Sequence, residues 1–195
     1  MLFIKTQPWM IARGMMAKGA AIASSFVLLS PLALANTTCL EDRTAANPQV
    51  AAQLDSFERT AASTRTELDH YASAARHGNL NRSSHVSNLE RAKDKVNLMG
   101  KQMSELETLN AEGTPLQQAA IREARPHLEE LADHVQTAIL MVNEGASGYR
   151  SHDFGKRVNG MYKQADHLYT KVDALTDFEK ACQRAVDATT DKTDI

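Results

Sequence analysis

The sequence predicts an all-α protein: an up-down-up-down antiparallel four-helix bundle that follows a cleaved signal peptide. Three observations carry this prediction. From Asn47 onward the apolar residues recur in alternating steps of four and three, the heptad period of a helix with one apolar, coiled-coil-like seam. That period stops at three polar stretches, each of which contains glycine. The alternation at period two that marks a half-buried strand does not occur.

Residues 1–35 read as the signal peptide. Lys5, Arg13 and Lys18 stand there without an acidic residue, the apolar run AAIASSFVLLSPLALA follows, and Ala33 and Ala35 flank Leu34 at its end. A positive start, an apolar middle and an A-x-A ending describe a secretory leader cut after Ala35. The run falls short of the ~20 residues a membrane span needs, and Pro31 interrupts it. Lipoprotein processing is not expected, because Cys39 follows Asn36, Thr37 and Thr38 rather than a small residue preceded by an apolar one. Without a twin arginine the general secretory route is expected, with a periplasmic or secreted destination. Cleavage removes three cations and no anion, which takes the formal net charge from −2 to −5, and it removes Trp9, the sole tryptophan.

Residues 36–47 form an N-terminal segment, residues 48–186 the bundle and residues 187–195 a polar tail. Asn47 caps the first helix and Pro48 opens it, because proline loses nothing where the N–H has no helical partner. Its seam is Val50, Leu54, Phe57, Ala61, Thr64, Leu68, Tyr71 and Ala75. Gly78, in RHGNLNRSS, ends it, and Ser83 or Ser84 is expected to cap the second helix, whose seam runs Leu89, Ala92, Val96, Met99, Met103 and Leu106. In AEGTPLQQ, Gly113 is the stop, Thr114 the next cap and Pro115 the first turn. The third seam is Ile121, Ala124, Leu128, Leu131, Val135, Ala138 and Val142. NEGASGYRSHD links to the fourth helix, with Phe154, Val158, Met161, Ala165, Leu168, Val172, Leu175, Cys182 and Val186, broken at Glu179. Each helix spans about 30 residues, or about 45 Å, and short links favour antiparallel neighbours. Pro126 inside the third helix should kink it, and Gly155 and Gly160 loosen the start of the fourth.

This topology brings Cys39, just before the first helix, to the same end of the bundle as Cys182, near the end of the fourth. In an exported chain the two are expected to form a disulfide closing nearly the whole domain. The chain-entropy treatment gives such a loop roughly 4 to 5 kcal/mol, and engineered bridges often deliver less. No C-x-x-C occurs, so catalytic redox work is not expected.

Helix phase sorts the seven histidines. His70 and His167 fall outward. Glu67 and His70 make a single E-x-x-H pair on an outward face, whereas a di-iron bundle needs two inward pairs with further carboxylates. His127 and His134, each with a glutamate four residues before it (Glu123, Glu130), flank the third seam and read as polar edge residues rather than half of a metal or haem site. At the opposite end from the cysteines, topology gathers His77, His85, Met141 and His152 with Asp153. Imidazole and thioether together suit copper, so these four are the speculative metal ligands, but no short ligand spacing such as H-x-H joins them. No C-x-x-C-H, phosphate-binding glycine loop or G-x-S-x-G is present. No cofactor and no enzymatic activity are expected.

The stretches HVSNLERAKDKVNLMGKQMSELETL and QQAAIREARPHLEELADHVQTAILMVNE, within residues 85–144, resemble a set of exported helical proteins found in acidobacteria, to which no activity is assigned. A histidine opens the second helix in that set, as His85 does here, and Val96 to Gly100 match its VN-MG stretch. The resemblance implies the helical architecture and no function. The expected function is therefore a non-enzymatic helical-bundle binding or interaction protein of the periplasm, meeting a protein partner or another copy of itself through its helix faces. The alternative is a bundle that binds metal or non-covalent haem. A mildly acidic, mixed-charge chain has no footprint for nucleic acid, and no stretch after the leader could insert into a membrane.

Overall fold

The computed structural model describes residues 47–78 and 80–190. The expected leader, Cys39 and the last residues of the tail lie outside these. The described residues are all-α, with no strand among them. Helices α1 (Pro48–Arg76), α2 (Arg82–Leu109), α3 (Pro115–Asn143) and α5 (His152–Thr190) are long. A four-residue helix, α4 (Ala146–Tyr149), occupies the third link, and a 3-10 turn at Asn110–Glu112 extends α2.

The helix starts follow from local chemistry. Asn47 accepts from the backbone N–H groups of Gln49 and Val50, two donors that a helix leaves unpaired. Thr114 and Gln117 form a reciprocal capping box, each side chain bonded to the other's backbone N–H. At α2 the serine caps expected from the sequence are replaced by Asn81, whose Oδ1 accepts from Ser84 N at 2.9 Å and from its hydroxyl at 3.0 Å. An asparagine starts the helix two residues earlier than a serine would, so Arg82 and Ser83 join the first turn. Gly78 ends α1 as expected, at φ +67, a conformation open to glycine at little cost.

Every seam residue of α2 and α3 named above is buried, as are those of α1 apart from half-buried Ala75 and those of α5 from Phe154 to Val172. The largest packings join α3 to α5 and α1 to α5, followed by α2 to α3 and α1 to α2. Pro126 sits exposed on the outer side of α3, which runs unbroken through it. The α5 helix continues to Thr190, four residues beyond the expected end of the bundle. Glu179, the break in the fourth seam, accepts a 2.8 Å hydrogen bond from the Thr114 hydroxyl, so a seam position serves the cap of α3 instead of the core. Buried Thr176 likewise donates to Glu58 Oε2 at 2.8 Å.

Candidate functional site

His85 is the buried histidine of the fold, 5 % exposed in the first turn of α2. Its Nδ1 shares a hydrogen bond with Tyr71 Oη at 3.0 Å. Around the ring stand Tyr71 at 5.9 Å, Tyr149 at 5.6 Å and Phe154 at 4.9 Å between centroids, Phe154 nearly perpendicular at 86°. These are the offset and edge-on arrangements that aromatic quadrupoles favour. Burial lowers the His85 pKa and pushes the Tyr71 phenol far above its usual range, so both are neutral near pH 7.

The short helix α4 makes this enclosure. Gly145, at φ +88, turns the chain out of α3, and Gly148 lies against the backbone of Met141. A Cβ on Gly148 would stand 1.9 Å from the Met141 carbonyl oxygen. Gly148→Ala is therefore expected to destabilise the protein by about 1–3 kcal/mol, because a backbone neighbour cannot swing aside as a side chain can. A thermal melt checks this, and an unchanged melting point would mean that α4 docks differently.

The four residues proposed from sequence as metal ligands have separate surroundings. His77 is the exposed C-cap of α1 and His152 the exposed first residue of α5. Met141 is half-buried against the core, and Asp153 pairs with Lys156 at 3.2 Å. Of these, His85 alone turns fully inward, and it meets tyrosines and a phenylalanine. Among the described residues no three of His, Cys, Asp or Glu come close enough to hold a metal ion. Tyr149 was the residue that sequence reasoning missed. Its only signal was an aromatic ring within a polar link.

Along the α3–α5 interface the edge histidines find specific partners. His127 Nδ1 lies 2.9 Å from Gln164 Oε1, and the His127 ring meets His167 at 5.4 Å. His134 Nδ1 lies 3.3 Å from Arg157 Nη1, which also reaches Asp133. An arginine can only donate, so His134 is neutral there. Its ring covers Gly160, where a Cβ would come within 2.6 Å of Nε2. Burial lowers the His134 pKa first and Arg157 adds to this, while Asp133 and Glu130 oppose it. Glu123 and Glu130, at good spacing for charge pairs with these histidines, form no close ion pair among the described residues.

Both shifts predict acid sensitivity. With folded-state values below the ordinary 6.5, the unfolded chain binds more protons than the folded one as acid is added. Stability is thus full above about pH 6.5 and is lost as pH falls through the lowered values. The melting temperature is expected to fall as pH drops below about 6.5. His85→Gln, which can still bond Tyr71, should flatten part of that fall; an unaltered slope would assign the effect elsewhere.

Two open grooves flank the core. One, ≈ 430 Å³ between α1 and α2, is lined by Glu67, His70, Tyr71, Ala74, Asn88 and Arg91. The other, ≈ 400 Å³ between α2 and α3, is lined by Glu107, Asn110, Gln118, Ile121, Arg122 and Arg125. In the second, Asn110 contributes a buried Oδ1 with no hydrogen-bond partner among the described residues. No family, curated protein or solved structure matches the chain. None of the described helices is long and apolar enough to cross a membrane.

Proposed function

We propose that the chain is an exported, non-enzymatic helical bundle that binds a protein partner in the periplasm. In this reading the long helices alternate in direction, up-down-up-down. Support comes from the packing of each long helix on its chain neighbours, the return of α5 to α1, and the shortness of the links. Export rests on the charge and apolar pattern of residues 1–35. It predicts a periplasmic form that begins at Asn36 by intact mass and lacks tryptophan fluorescence. A form retaining Trp9 would overturn it.

The observation that carries the binding reading is the α2–α3 groove. Arg122 supplies a planar cation of the kind that anchors interfaces, while Arg125 in the same groove is paired with Glu107 and Glu129, each at 3.2 Å. The groove thus fits an acidic peptide segment that pairs with Arg122. The test is retention of a specific envelope protein by the folded chain, compared with Arg122→Glu. Capture that is lost in the variant and weakened by salt is expected; equal capture by both forms would overturn the reading.

The same proposal includes a bond between Cys39 and Cys182. Cys182 is half-buried. The α5 segment that carries it lies beside the first turns of α1, where Lys180 pairs with Asp55 at 3.1 Å. Cys39 precedes Asn47 by few enough residues to reach it, at up to about 3.3–3.6 Å per residue.

A further inference from the structure

The two histidines read separately from sequence, one as an edge residue of the third helix and one as solvated, stand against each other. His127 is half-buried on α3 and His167 exposed on α5, with ring centroids 5.4 Å apart and planes at 75°. We propose that this pair is a surface site for a divalent late transition ion, Zn(II), Cu(II) or Ni(II), which would tie α3 to α5.

Three features support the site independently of the groove reading above. The first is separation. With metal–nitrogen bonds of about 2.0–2.1 Å, two imidazoles on one tetrahedral ion have centroids about 5 Å apart. The observed 5.4 Å is close to that spacing, and the exposed His167 ring is free of the core. The second is the tautomer. Gln164 Oε1 can only accept, so the His127 Nδ1 at 2.9 Å from it carries the hydrogen and Nε2 carries the lone pair. A second group that holds the other ring nitrogen in this way is the usual support of a histidine ligand. Gln164 and His167 are three residues apart on α5, hence on one face, so the orienting group and the second ligand share a helix surface. The third is the surroundings. His167 is exposed, so water can complete the coordination, since no carboxylate among the described residues stands close enough to make a third protein ligand. Two imidazole nitrogens with water suit these three ions, and Cu(II) is expected to bind most tightly.

The test uses the untagged protein, titrated separately with ZnCl₂, CuSO₄ and NiCl₂ by calorimetry. One ion per chain is expected, with a rise in melting temperature as metal is added, since the ion binds the folded state. His167→Ala, at an exposed position, should fold as the parent does and lose the site. Gln164→Leu keeps both ligands and should weaken binding about 10- to 100-fold. Electron paramagnetic resonance of the Cu(II) form should show two coupled imidazole nitrogens, reduced to one in His127→Gln. His70→Ala should leave binding unchanged. No metal binding by the parent, or equal binding by His167→Ala, would overturn the proposal.

Discussion

Replacing Phe57 by alanine is expected to destabilise the protein by about 3–5 kcal/mol. Phe57 is completely buried in the middle of α1 and is the largest fully buried side chain of the core. Truncation removes the ring from contact with its neighbours and leaves a cavity that long, mutually packed helices cannot collapse to fill. For a domain of this size about 1 kcal/mol shifts the melting temperature by about 2–4 °C, so a fall of about 6–20 °C should be seen by circular dichroism. Leu98→Ala, at a position 46 % exposed, is the contrast and should change stability by less than about 0.5 kcal/mol. Similar melts for the two variants would mean that α1 does not form the centre of the core.

Reduction of the bond proposed between Cys39 and Cys182 should have an effect of comparable size. Its closed loop spans almost the whole mature chain, and the chain-entropy treatment puts the stabilisation at up to about 4–5 kcal/mol, acting through the unfolded state. The helical signal at room temperature should survive reduction, because the core of α1, α2, α3 and α5 is built without the sulfurs. The melting temperature should fall. Recovery of both cysteines as freely alkylatable thiols from the oxidised protein, or an identical melt after reduction, would count against the bond.

The core was legible in the sequence because a heptad seam needs only the helix's own geometry. Val50, Phe57, Leu89, Met99, Leu131, Val135, Met161 and Leu168 could each be assigned inward from spacing alone, and each is buried. The caps at Asn47 and Thr114 were legible for the same reason, since their chemistry acts within a few residues. The cap at Asn81 was misread as a serine because Asn81, Ser83 and Ser84 all qualify locally, and the packing of Arg82 onto the end of α3 is a contact between distant segments. Arg82 Nε donates to the Val142 carbonyl at 3.2 Å. A four-residue helix such as α4 is shorter than two turns and leaves no periodic trace.

The chain by itself determined an all-α protein: where α1 and α3 begin, and which stripe of each long helix is apolar. Tertiary structure alone decided what those faces meet: Tyr149 and Phe154 around His85, the Thr114 hydroxyl at Glu179, and His127 against His167. The physical reason is that heptad phase sets a side chain's angle about its own helix axis, whereas a contact between helices also needs their relative height and rotation. Those come from how all the seams interlock at once, and no stretch of one helix encodes them.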